Sequence, residues 1–313
     1  MRIAFLPSFR IAAGLLLVVL LGVVGCEVLH WRNPVSPEAI LARADEMSWL
    51  NSWIAAEPLY RQAEIQFTQK RQLSKALYAR VSEMPAHSES STSVPTQIAL
   101  LTHDLALPEA QEPETRLRVL TILGMLEVNY DAGMARKTWA DVEALAIRQH
   151  HYLLASRAMG EQGIAAFLLG DIATAKKNVV KAWFVAKTAD PGAHIRYASM
   201  YGAGLVEMHK YKEALGPLDE AINVAKKTRG AAYPTIAITA KVEALSGLGE
   251  NKEALALASE EMQRVSGYHL AGHLYELYQT RLASTRKWAN GIKLFPITVR
   301  PFNTPNNFHI GAA

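Results

Sequence analysis

Cysteine is almost absent from this chain, with Cys26 the single one in 313 residues. No intrachain disulfide is possible, so cysteine count does not decide the redox compartment. An excess of either charge is also missing. Of 33 lysines and arginines, Arg2 and Arg10 lie ahead of the first apolar run, which leaves 31 against 29 acidic residues. So small an excess is not the footprint of a nucleic-acid surface, which needs a basic stripe and not a mild balance. Signatures of catalysis are lacking too: there is no GxSxG elbow and no Walker loop. GAG at 202–204 lacks the third glycine and the preceding strand of a dinucleotide site. His269 and His273 in HLAGH stand one helical turn apart, but Leu270 occupies the place of the zinc-protease glutamate and no third ligand is near. They read as ordinary, partly exposed histidines, and His150 and His151 as helix-end or loop residues. Glu127, Glu207, Glu220 and Glu243 read as solvated helix-surface carboxylates, and Trp53, Trp139 and Trp183 as core or inter-repeat packing. The expectation is a chain without metal or cofactor that is not an enzyme.

What is present begins with the N-terminus. MRIAFLPSFR carries two arginines and no acid, and IAAGLLLVVLLGVVG follows without a charged side chain. A positive segment before an apolar one has the order of a secretory signal. Fifteen helical residues cover only about 22 Å of a hydrocarbon core roughly 30 Å thick, and extension to Leu29 would include Glu27. Val23-Val24-Gly25-Cys26 resembles the bacterial lipoprotein signal. The resemblance implies lipidation of Cys26, with residues 1–25 as signal peptide and 26–37 as a tether. Glu27 then favours passage to the outer membrane. Two or more acyl chains anchor stably where one does not. An uncleaved anchor in the inner membrane is the alternative, and both place the rest of the chain outside the cytoplasm, facing the periplasm.

Half of the residues are hydrophobic and alanine and leucine dominate, which marks a folded helical protein. A period of about forty residues runs through it. GEQGIAAFLLGDIATAKKNVVKAWFVAK, MYGAGLVEMHKYKEALGPLDEAINVAKK and AKVEALSGLGENKEALALASEEMQ each read as helix, turn, helix. Ala135, Ala175, Ala214 and Ala254 follow at steps of 40, 39 and 40, with Ala56 two copies earlier and an intermediate copy expected near residue 95. The pattern resembles the tetratricopeptide repeat family (TPR). Gly163, Gly202 and Val242 stand at its eighth position, with Ala63, Ala182 and Ala221 at its twenty-seventh, where Glu261 breaks the series. Small residues let helices approach, Gly163 or Gly202 opposite Ala175 or Ala214. The implied fold is all-α: a right-handed superhelical solenoid of antiparallel helix hairpins, six to seven repeats of 39–40 residues over 38–285. The hairpins fall near 38–69, 72–106, 114–149, 152–189, 194–229 and 233–265, with a seventh opened by HLAGHLYELYQTRLAS. Pro191 closes one repeat, while Pro85, Pro108 and Pro234 are expected between helices.

The tail, 286–313, is of another kind, with no acid, three prolines and four asparagines. Pro296, Pro301 and Pro305 forbid the helix due there, so a truncated or shifted reading frame is expected, with an extended cover as the other reading. In the TPR family the first helices form a concave wall for peptides or proteins. Its groove positions carry over to Arg157, Phe167, Arg196, Ser199 and Glu243. Arg157 and Arg196 would suit a carboxylate, or else pair with neighbouring acids. The resemblance therefore implies a non-catalytic, membrane-anchored interaction scaffold with a protein or peptide partner and no nucleic acid. The alternative is a sensory ectodomain whose output module is missing from this chain.

Overall fold

The computed structural model describes residues 35–87 and 94–266. Cys26, the leader, His269, His273, the seventh hairpin and the tail lie outside them. Among the described residues there are twelve α-helices, one 3₁₀ turn and no strand. They are α1 (Pro37–Trp49), α2 (Trp53–Gln69), α3 (Leu73–His87), α4 (Val94–Asp104), α5 (Pro113–Glu127), α6 (Ala132–Arg148), α7 (Tyr152–Leu168), α8 (Ile172–Ala189), α9 (Pro191–Glu207), α10 (Tyr211–Lys227), α11 (Thr235–Gly247) and α12 (Asn251–Ser266). The 3₁₀ turn, Pro108–Gln111, precedes α5. No helix among the described residues is long and apolar enough to cross a membrane.

The forty-residue period becomes a fixed place on a helix. Ala56, Ala135, Ala175, Ala214 and Ala254 are each the fourth residue of α2, α6, α8, α10 and α12, and all are buried. The copy expected near residue 95 differs: the fourth residue of the short helix α4 is Gln97, itself buried. Seven residues on, Ala63, Ala182 and Ala221 are fully buried, and Glu261 takes the same place at 1% exposure. The glycines face one turn further along than the sequence pairing suggested. A Cβ on Gly163 would meet Val179 at 2.9 Å, and one on Gly202 would meet Leu218 at 2.5 Å.

Six helix ends share one turn. In each, one N–H reaches the carbonyl three residues back and the next N–H the carbonyl five back, as at Asn51 to Ser48 and Ser52 to Met47. The first of each pair has positive φ: Asn51, Arg71, His150, Gly170, His209 and Gly249. Glycine adopts this region freely, and asparagine at modest cost. The two histidines gain a local partner, since His150 Nδ1 lies 3.0 Å from the Tyr152 hydroxyl and His209 Nδ1 lies 2.8 Å from that of Tyr211. A turn of constant geometry is why the helices recur at near-constant spacing. Pro85 is not between helices, as the sequence suggested, but inside the last turns of α3.

The chain divides into two compact units. The first holds the described residues up to Tyr201 together with Ala221–Pro234, and the second Gly202–Glu220 and the described residues from Thr235 onward. In the first, α1 packs on α2, α2 on α3, α3 on α5, α5 on α6, α6 on α7 and α7 on α8, so that the first helices α3 and α5 lie side by side. Its largest core joins Trp139, Val142, Ile164, Val179 and Tyr197. In the second, α11 packs on α12 around Val242, Leu245, Ala254 and Ala258.

Candidate functional site

Within the first unit an open basin of about 500 Å³ lies along the first helices α1, α3, α5 and α7. Local signals set these helices in place. Pro37 opens α1 behind Ser36, whose hydroxyl accepts from Ala39 N–H at 3.2 Å. Pro113 opens α5 behind Glu112, whose carboxylate accepts from Thr115 N–H at 2.8 Å. One face of α1 then supplies Asp45, Ser48 and Trp49 to the basin, and one face of α5 supplies Glu114, Leu117, Arg118 and Thr121. Trp53, Tyr78 and Leu153 complete an apolar wall, and His151 Nε2 sits 2.9 Å from Glu114 at the rim.

Arg118 holds the floor. Its Nε donates to Ser82 Oγ at 2.7 Å, its terminal nitrogen donates to the Tyr60 hydroxyl, and Asp45 lies 3.6 Å away. The guanidinium also sits over the rings of Tyr78, Tyr60 and Trp53 at 5.1, 5.3 and 5.3 Å. Burial opposes its charge, but Tyr78, Tyr60 and Asp45 outweigh that and hold the proton more firmly than in free arginine. The same burial raises both phenols, with Tyr78 pushed up to about 12. Tyr60 OH and Tyr78 OH approach Asp45 Oδ1 at 2.7 and 3.2 Å. Four helices are thereby joined through one cation.

A second network ties the first turn across the unit. Arg157 binds Asp190 through two nitrogens at 2.7 and 2.6 Å, donates to the Trp49 carbonyl at 2.6 Å and lies 3.7 Å from the centre of the Trp49 ring. Asp190 also accepts from Ala193 N–H at 3.0 Å at the start of α9. Asn51 Nδ2 donates to the Gly192 carbonyl at 3.1 Å, Ser52 Oγ to that of Gly230 at 2.6 Å, and Ala232 N–H to that of Leu50 at 3.0 Å. The α1–α2 turn is thus fastened to residues 141 and 178 positions away.

The carried-over groove residues fare unequally. Arg157 and Arg196 stand on the adjacent first helices α7 and α9, but each already has an internal acid. Arg196 grips Glu161 through both carboxylate oxygens, and Tyr197 OH links the pairs by donating to the Arg157 carbonyl at 2.7 Å. Neither arginine has its fork free for a guest carboxylate. Ser199 is buried and donates to the Ile195 carbonyl at 2.6 Å. Phe167 is half-buried, and Glu243 is exposed in the second unit. Glu127 is a correction. It is only 2% exposed, and burial raises its pKa with Asp131 adding to the effect, because α5 is covered on nearly every side. Trp139 is core, packed on Gly124, whereas Trp53 lines the basin. The basin's own floor went unnoticed in the sequence. Its one signal was a cation in the apolar run of α5, where Arg118 stands between the buried Leu117 and Val119. Among the described residues no three His, Cys, Asp or Glu are placed to hold a metal.

Antiparallel hairpins with aligned first helices and a basin along them define a TPR-like helical repeat protein. No protein-family model and no curated protein sequence matches the chain. A solved structure that does is the crystal structure of a Rap protein complexed with competence and sporulation factor. Its TM-score is 0.52 at 12% identity, over 82% of this chain and 76% of that one. Likeness at that identity establishes the shared fold.

Proposed function

We propose that this protein is a non-catalytic interaction scaffold that holds a peptide or an extended protein segment in the basin along α1, α3, α5 and α7. One observation carries the reading: first helices of successive hairpins meet at an open, aromatic-walled basin whose floor is already fixed by Arg118. A preorganised floor lowers the ordering cost of binding. The solved Rap protein, of like fold, is complexed with competence and sporulation factor, which agrees with a guest for this one. The leader and Cys26 support export and lipid anchoring in the cell envelope, on the periplasmic side.

A photo-crosslinking residue placed at exposed Leu153 tests the groove. Full-length protein in its host should yield specific adducts from that position, weakened by Trp53→Ala, and not from a control position at exposed Ala140 on α6. Equal adducts from both positions, or none from Leu153, count against the reading. Mass spectrometry of the mature N-terminus tests the anchor, and a free thiol at Cys26 behind an intact leader excludes lipidation.

A further inference from the structure

The outward face of α8 is a second surface. This 18-residue helix is buried through Ala175, Val179, Ala182 and Ala186. It is the one α-helix among those described with no aspartate or glutamate, and it carries Lys176, Lys177, Lys181 and Lys187, all exposed. At about 100° per residue, Phe184 points away from the buried stripe, and all four lysines fall within about 80° on either side of it. Phe184 is 76% exposed, and Val180, also exposed, is its neighbour on that face. Lys187 reaches back over the Trp183 ring at 4.6 Å, while among the described residues no carboxylate pairs with Lys176, Lys177 or Lys181.

We propose that this face docks on an anionic phospholipid surface, with Phe184 entering the headgroup layer and the lysines contacting the lipid phosphates. The match is one of charge and shape. A flat cationic field around one projecting aromatic ring suits an interface whose outer layer is anionic and whose next layer is apolar. Phe184 is the most exposed large hydrophobic side chain among the described residues, and an acidic protein would engage the lysines without needing that wedge. The leader reading is what brings this face near lipid, and the two can fail separately.

The test uses the full chain with Cys26→Ser and Thr188→Cys. Thr188 is exposed on the same face of α8 and takes a nitroxide label there. The protein is floated with phosphatidylcholine vesicles and with vesicles that also contain phosphatidylglycerol. With the anionic vesicles the label should become protected from a water-soluble nickel reagent and accessible to oxygen. With phosphatidylcholine alone it should stay in water. Lys177→Glu with Lys181→Glu, both at the surface, should weaken anionic binding of the face on the order of thirtyfold at about one kcal/mol per lysine, with unchanged helical circular dichroism. Phe184→Ser should shorten the immersion depth. A label that remains in water with both vesicle types overturns the proposal even if the chain floats. Because Cys26→Ser removes the lipidation site, label immersion in anionic vesicles reports the α8 face alone, while mass spectrometry of the unaltered N-terminus decides the lipid anchor separately.

Discussion

A Cβ on Gly192 would stand 2.2 Å from the backbone carbonyl oxygen of Trp49. Backbone cannot swing aside as a side chain can, so at this place the chain tolerates only glycine. The contact lies beside the Arg157 and Asn51 bonds that fasten the first turn. Gly192→Ala should therefore undock that turn and cost about 2–3 kcal/mol, at the upper end for overpacking. Hydrogen exchange should quicken at residues 49–52 before the rest of the unit. Gly216→Ala is the contrast. Apart from its chain neighbours a Cβ there meets nothing within 4 Å. The gain in helix propensity is offset by crowding against the ring of Pro217 next to it in α10, so the change should stay within about 0.5 kcal/mol of neutral. Thermal melts of both variants decide the matter, and similar losses in each would refute the docking account.

Arg157 and Asp190 form a buried pair whose halves depend on each other. Asp190 is 2% exposed, so Arg157→Ala leaves a carboxylate with few replacement donors and should cost about 3–5 kcal/mol. Asp190→Asn with Arg157→Met should recover part of that loss, because the uncompensated charge is gone. A double-mutant cycle from urea melts measures the coupling. Loss of partner binding in an Arg157 variant would accordingly report a weakened fold and not a vanished guest contact.

Much of the scaffold was legible in the sequence because its devices are local. Alanine at the fourth place of α6, α8, α10 and α12 repeats with the turn, and a repeated turn repeats in sequence. The departures are physical. At the second copy a buried Gln97 replaces the small residue, and α4 is shorter than its counterparts. Arg157 and Arg196 have the spacing of groove residues, but periodicity carries no information about which acid lies opposite. Glu161 and Asp190 come from α7 and the α8–α9 junction, and only tertiary packing brings them there. The docking of Asn51 and Ser52 is invisible for the same reason, since its partners stand well over a hundred residues on. Arg118 was visible only as an oddity within an apolar helix.

Glu83 should make stability depend on pH. Burial raises its pKa to about 7, with Glu64 and Glu57 adding to the effect and Arg61 opposing it. In the unfolded chain the carboxyl ionises near its ordinary value of about 4.3. Below that value both states hold the proton and there is no penalty. Between there and 7 only the folded state keeps the proton, so stability falls as pH rises. With partial solvent access the loss should be about 1–2 kcal/mol. Glu83→Gln should raise the melting temperature at pH 7.5 and leave it unchanged at pH 4. A benefit that is equal at both values would trace to packing and not to titration.

Arg118 should control both the floor of the basin and the alkaline limit of the fold. Arg118→Met removes the donor to Ser82 and Tyr60 and the cation over three rings, and should cost about 2–4 kcal/mol. Arg118→Lys keeps the charge but not the planar fork, and should fall between. The phenols add a signed pH effect. Tyr78 is pushed up to about 12 and Tyr60 is raised as well, chiefly by burial, whereas unfolded tyrosines ionise near 10. Stability is whole below pH 10 and declines from there toward 12, because only the unfolded state releases those protons. Tyr78→Phe, which also gives up one bond to Asp45, should flatten this decline while lowering stability slightly at pH 7. Unfolding followed by tyrosinate absorbance measures it, and in the Arg118→Met protein the alkaline midpoint should come earlier, since less stability remains to be lost.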